Sequence, residues 1–259
     1  MENLLRKKLA AGEKPVGTFF ELGSPNVMEC LGHTGLDFAI IDNEHGPFEA
    51  ESTLQFVRAA ELTGLTPLAR VREISRPAVL KLLDVGVQGL IVPNITTPEQ
   101  VRQLVKYAKF APLGERGFCP TRKDCWGAAY PATASMEENM AFHNRETLLI
   151  PQCETAECLA QIQEVAAVDG VDGIFVGPFD LSISMGMPGR FTEPAFREAL
   201  SRILGTCHAA GKFCVLFAPT PEGVAQGFRD GFDAVTYSLD AALFTAALRE
   251  QVQCIRAML

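Results

Sequence analysis

Nowhere does this chain carry an apolar run of the roughly 20 residues that a bilayer-spanning helix requires. Its first fourteen residues are charged throughout and lack the apolar centre of a signal peptide. These absences predict a cytoplasmic protein with no membrane partner. Missing too is any CxxC pair: the eight cysteines stand at 30, 119, 125, 153, 158, 207, 214 and 254, a spread that suits reduced thiols better than a disulfide framework. Basic charge is scarce, 23 Lys and Arg against 31 Asp and Glu, for a formal net charge of -8. Nucleic acid and anionic membranes would be repelled, whereas a cation or a small anion held locally is still allowed. No GxGxxG follows the first apolar run, so a dinucleotide-binding open sheet lacks its phosphate turn.

What the chain does have is an almost unbroken alternation. Eight short apolar runs, at 15–21, 38–42, 67–71, 89–93, 148–154, 173–177, 213–218 and 233–238, read as strands. Helical patterns lie between them at 51–63, 76–84, 97–107, 156–165, 193–209 and 221–229, with another at 241–258 after the last strand. With 259 residues, 47% of them hydrophobic, this pattern predicts one α/β domain over 1–259, a closed (β/α)8 TIM barrel. The segment 111–145 breaks the rhythm with loop composition, the single tryptophan Trp126, and the basic residues Arg116, Arg122 and Lys123. As an insertion after the fourth strand it is expected over the C-terminal, active-site face, as a lid or a subunit contact; a tolerated surface loop is the plainer alternative.

Polar residues at the C-terminal ends of barrel strands converge on one mouth. Here those ends carry Glu21, Asp42 with His45 just beyond, Arg70, Gln152 and Glu154, and the run Gly177-Pro178-Phe179-Asp180. A solvated turn accounts for Asn43, Gly46 and one acid of "DNEHG" but does not ask for the histidine. Glu154 and Asp180 end adjacent strands, which stand about 4.8 Å apart, so the two can share one hard divalent cation. The competing reading makes each a helix-capping acid. Arg70, closing an apolar strand, is costly unless it meets an anion or a carbonyl oxygen; a salt bridge to Glu44 or Glu21 is the alternative. His33, His143 and His208 lie away from strand ends and read as ordinary. Lys81, Lys106, Lys109 and Lys123 fall in helices or the insertion, and Lys212 precedes the seventh strand, so no strand presents the lysine a Schiff base needs. Carbonyl activation therefore falls to a metal and Arg70, with His45 as general base.

The segments "DNEHGP", "PLARV", "LLDVGVQGLIVPN", "GERG", "PQCET" and "VDGIFVGPFDLSISMG" closely resemble the HpcH/HpaI aldolase family, metal-dependent pyruvate aldolases that include dehydrodeoxyglucarate aldolases. The resemblance spans essentially the whole chain and implies reversible cleavage of a 4-hydroxy-2-oxo acid to pyruvate and an aldehyde. It implies Glu154 and Asp180 as ligands of Mg2+ or Mn2+, with Co2+ or Zn2+ as alternatives, and Gln152 as support. Backbone amides around Gly177, Pro178 and Phe179 and near Leu216 would hold the pyruvate carboxylate. Arg70 would polarise the carbonyl, and His45 would move the proton, helped by Asp42 or Asp84. Because Asp84 ends the helix before the fourth strand, it could act only in a neighbouring subunit's site. The family is similar in forming hexamers, trimers of dimers, with exchanged C-terminal helices, and "ALFTAALREQVQCIRAML" has the apolar stripe for that. Cys119, Cys125 and Trp126 depart from the smaller residues expected there, and Arg122 or Lys123 could bind a second substrate carboxylate. Two other readings stand beside this one: a citrate-lyase-subunit-like acyl-CoA lyase, and a non-catalytic oxo-acid-binding barrel.

Overall fold

The computed structural model describes residues 2–128 and 135–259. Eight parallel strands, β1 (Val16–Phe20), β2 (Phe38–Asp42), β3 (Thr66–Arg70), β4 (Gly89–Val92), β5 (Leu148–Cys153), β6 (Gly173–Val176), β7 (Phe213–Ala218) and β8 (Ala234–Leu239), close into a barrel in chain order. The (β/α)8 expectation is met. A short helix α1 (Leu4–Ala10) precedes the barrel. The connections carry α2 (Pro25–Gly32), α3 (Ala50–Leu62), α4 (Arg76–Val85), α5 (Pro98–Ala108), α6 (Met136–Glu146), α7 (Ala156–Ala160), α8 (Ile162–Ala166), α9 (Pro178–Ser184), α10 (Pro194–Ala209) and α11 (Pro221–Asp230). The last strand runs directly into α12 (Asp240–Ala257). Proline in the first turn starts α4, α5 and α11, where its missing N–H has no helical partner to lose. Gly86 and Gly231 end α4 and α11 with φ of 104° and 105°, a left-handed backbone that favours glycine.

Side chains alternate across each strand, and the sequence uses both faces. Phe19, Ile40, Leu68, Ile150, Phe175 and Val215 point inward and fill the barrel, and Leu5 of α1 joins them. Phe20, Ile41, Ala69, Leu149, Val176 and Leu216 point outward beneath the helices. Each fully buried Phe, Ile or Leu stabilises the fold by about 1.5–3 kcal/mol, so the alternation fixes which residues at the strand ends face the mouth.

The insertion is placed differently from the expectation. α5 intervenes between β4 and the segment, carrying the chain back to the N-terminal end of the strands. There Lys109, directly after α5, donates from Nζ to the carbonyls of Thr147 at 2.5 Å and Asn144 at 2.8 Å, just ahead of β5. Arg116 pairs with Asp84 at the end of α4 at 2.8 Å, and Arg122 pairs with Glu61 at the end of α3. The described part of 111–145 therefore covers the end of its own barrel opposite the predicted mouth. It includes a 3-10 turn at Arg122–Gly127, in which Cys125 and Trp126 take left-handed φ of 49° and 53°, followed by α6. Within the segment, residues 129–134 lie outside the described residues.

Candidate active site

The inward parity set by Phe19, Ile40, Leu68, Ile150, Phe175 and Val215 continues for one step into Glu21, Asp42, Arg70, Gln152, Gly177 and Phe217, with Glu154 one step beyond Gln152. Polar groups that the sequence scatters over 130 residues thus meet at one end of the barrel.

Asp42 and Arg70 lie directly opposite each other in the β2–β3 register. Arg70 donates from Nε to Asp42 Oδ1 at 3.0 Å and from Nη2 to Oδ2 at 2.5 Å, and its Nε also lies 3.2 Å from Glu44. Its guanidinium rests over the Phe19 ring at 4.6 Å from the centroid. Burial disfavours this charge, but the fork on Asp42 outweighs it, so the Arg70 pKa is raised. Glu21 is not among the ion-pair partners of Arg70. Nη1 has no hydrogen-bond partner among the described residues and remains free to meet a substrate oxygen.

Asp42 also accepts the backbone N–H groups of Glu44 at 3.0 Å and His45 at 3.2 Å. It shapes the loop rather than orienting the imidazole. Asn43 turns away and donates to Phe48 and Thr53, tying the loop to α3. Gly46 is obligatory in this turn, since a Cβ there would sit 2.2 Å from the Asp42 carbonyl oxygen. His45 is left exposed, with Nε2 4.0 Å from Glu44.

Opposite this loop, Glu154 is 5% exposed. It accepts the Asn94 N–H at 2.6 Å and the Gln152 side-chain amide. Burial, then the carboxylates of Asp180 and Glu44 against the opposing Asn94 N–H, pushes its pKa from 4.5 to about 7. The competing assignment of Glu154 as a helix cap does not hold: Thr155 caps α7, accepting the Cys158 N–H at 3.0 Å. Asp180 stands in the first turn of α9, exposed, and makes no hydrogen bond with a described residue.

A hard cation fits this end of the barrel. The Gln152 Oε1 atom is buried with no donor, Glu154 is a buried acid short of positive partners, and Asp180 is free beside it. A Cβ at Gly177 would fall 2.8 Å from Gln152 Nε2 and 2.9 Å from Glu154 Oε2, so only glycine keeps this cradle open. Among the described residues no three His, Cys, Asp or Glu side chains converge to hold a metal ion, so the protein's own ligands here would be the two carboxylates Glu154 and Asp180.

Other expected groups fall elsewhere. Asp84 is at the opposite end of the barrel, paired with Arg116. Leu216, near which backbone amides were expected to serve the substrate, turns its side chain outward to line a groove of about 650 Å³ between α10 and α11; Phe217 takes the inward position, its ring tilted against Phe19 and edge-on to Phe179. Pro178 has no N–H, and the Gly177 N–H is already donated to Cys153 at 3.3 Å, leaving the amides of Phe179 and Asp180 free at the start of α9. Arg122 and Lys123 are committed to Glu61 and Asp124. Asn94 was not foreseen from the sequence. It takes a left-handed φ of 56° two residues after the end of β4 and also donates to Glu44 at 3.0 Å, joining both halves of the site. An Asn closing the apolar run "LIVPN" is the available signal, since Asn tolerates that backbone.

Known proteins resemble this chain in both sequence and fold. The chain is 30% identical over 254 residues to the 2-keto-3-deoxy-L-rhamnonate aldolase of Escherichia coli (strain K12), covering 97% of this chain and 92% of the relative. It is 31% identical over 259 residues to the hydroxypyruvate/pyruvate aldolase of Cupriavidus necator, with 96% and 93% covered. The crystal structure of an HpcH/HpaI aldolase from Desulfitobacterium hafniense DCB-2 superposes with a TM-score of 0.91 at 28% identity, covering 98% of this chain and 97% of that one. The sequence pattern of HpcH/HpaI aldolase/citrate lyase matches residues 16–247, and the chain belongs to that family of enzymes.

Proposed function

We propose that this protein is a divalent-cation-dependent aldolase that reversibly cleaves a 4-hydroxy-2-oxo acid to pyruvate and an aldehyde. The observation that carries the reading is the buried, proton-hungry Glu154 with Asp180 beside it, across the mouth from Arg70 and His45. Glu154 and Asp180 would hold Mg2+ or Mn2+, with Gln152 completing the cradle. When bound, the ion supplies electrophilic stabilisation of the charge that builds on the 2-oxo oxygen.

Arg70 aims Nη1 at that oxygen from a fork fixed by Asp42, so the donor is in place before the charge develops. The free amides of Phe179 and Asp180 suit the substrate carboxylate. His45 takes the C4 hydroxyl proton as the C3–C4 bond breaks: the electron pair passes to C3 as the pyruvate enolate, and the aldehyde leaves. In synthesis the same groups run in reverse. Asp84 can take part only in a neighbouring copy's site, and the exposed stripe of Phe244, Leu248, Val252 and Ile255 on α12 supports helix exchange within a hexamer. The rival CoA-thioester reading calls for basic lining near the mouth, yet within one chain Arg58, Arg116, Arg122 and Lys123 gather at the other end, and CoA binding is the measurement that separates the two readings.

The test is a coupled assay of pyruvate release from a panel of 4-hydroxy-2-oxo acids. EDTA should abolish turnover and Mn2+ restore it, while Glu154→Ala and Asp180→Ala lower kcat/KM at least about a hundredfold with the fold retained. Turnover that survives chelation refutes the assignment.

A further inference from the structure

The mouth holds one inward carboxylate that the proposed reaction does not use. Glu21 follows Phe20, whose register partner on β2 is Ile41, so it stands level with Asp42. By strand parity it points inward above Phe19. Its backbone is clamped: Asp240 accepts the N–H of Glu21 at 2.8 Å and that of Leu22 at 3.1 Å. Yet the Glu21 side chain, half-buried, makes no hydrogen bond or ion pair with any described residue, because Arg70 is taken by Asp42 and Glu44. A rigid backbone thus presents an unpartnered acceptor to the mouth.

In an eight-strand barrel β1 lies diametrically across from β5. On the proposed reading, the 2-oxo acid half is held at β5 and β6, so the chain beyond C4 extends past His45 toward Glu21. Phe179 and Phe217, with ring centroids 5.9 Å apart, give that region an apolar wall. Among the described residues at the mouth, the six carboxylates Glu21, Asp42, Glu44, Glu154, Asp180 and Asp240 outnumber the basic groups Arg70 and His45 that act on them, and Arg72 beyond β3 is paired with Glu49. Within one chain, Arg122 and Lys123, which could have bound a second substrate carboxylate, are paired instead with Glu61 and Asp124.

We infer that Glu21 sets the aldehyde specificity: its carboxylate accepts hydrogen bonds from hydroxyl groups beyond C4 and repels a second carboxylate, selecting neutral, hydroxylated aldehydes over anionic ones. This rests on the pyruvate aldolase reading, which deuterium exchange into the methyl group of pyruvate tests without any aldehyde. With Mn2+ present, aldol addition of pyruvate to glyceraldehyde and to succinic semialdehyde is then compared as a ratio of kcat/KM values. The wild-type ratio favours glyceraldehyde. Glu21→Gln lowers it about tenfold, and Glu21→Lys lowers it about a hundredfold or more, toward the anionic aldehyde, as expected for reversing one charge at a short distance in a partly screened site. A wild-type preference for succinic semialdehyde, or a ratio unmoved in both variants, overturns the role of Glu21. Absence of deuterium exchange in the wild type overturns the aldolase reading instead, and the Glu21 role with it.

Discussion

Glu154 is where burial and charge are most sharply opposed. Its carboxyl, ordinarily near 4.5, is raised to about 7 by burial first and by Asp180 and Glu44 next. The folded chain holds this proton more tightly than the unfolded one. Protonated Glu154 therefore favours folding in acid, and that contribution is lost as pH rises from about 4.5 through about 7. A cation competes with the proton for the same oxygens. Mn2+ affinity measured by calorimetry should accordingly rise up to about tenfold per pH unit below 7 and flatten above it, a dependence that Glu154→Gln removes. An affinity flat across that range would show that Glu154 is not a ligand. The residues at this scale were unevenly legible. Acids and an arginine at the ends of apolar runs stand out because burial would penalise them without a purpose. Asn94 does not, because its contribution depends on a left-handed backbone that only the folded chain displays.

Among elements, the eight strands were readable because both faces of each are buried, giving continuous apolar runs. α1, α2 and α6 were not expected as helices. α1 has seven residues and one buried side chain, Leu5, and α6 buries only His143, so neither shows a strong periodic pattern. The 111–145 segment lies at the end opposite to that expected, because α5, between it and β4, returns the chain to the other face first. Lys109 is what fastens that segment. It is 1% exposed, and its ammonium is shared by two carbonyls and by Asp172 at 3.3 Å. Burial lowers its pKa despite Asp172. Lys109→Ala leaves those acceptors buried and unpaired and should cost about 3–5 kcal/mol in chemical denaturation, with Mn2+ affinity little changed, since the site lies across the barrel. A loss below about 1 kcal/mol would show that the segment is held by other contacts.

At the scale of the whole molecule, α12 buries only Asp240 and leaves Phe244, Leu248, Val252, Ile255 and Met258 exposed along one face. A stripe of that length on an otherwise well-covered barrel suits a second copy of the chain. Sedimentation should give a mass several times 28.1 kDa, and Leu248→Asp combined with Ile255→Asp should reduce it to smaller species. If the wild type sediments as a monomer, Asp84 has no neighbouring site to serve. The apolar stripe of α12 is legible in the sequence, whereas a surface to receive it is not, because a surface assembled by the fold can draw on residues far apart in the chain.

The central claim is that Glu154 and Asp180 grip one divalent cation at the barrel mouth. Anomalous scattering from crystals grown with Mn2+ and pyruvate tests it most directly. The account predicts a single strong peak within bonding distance of both carboxylates, with pyruvate beside it and Arg70 on its 2-oxo oxygen. A map with no peak there, or with the two side chains turned apart, would contradict it.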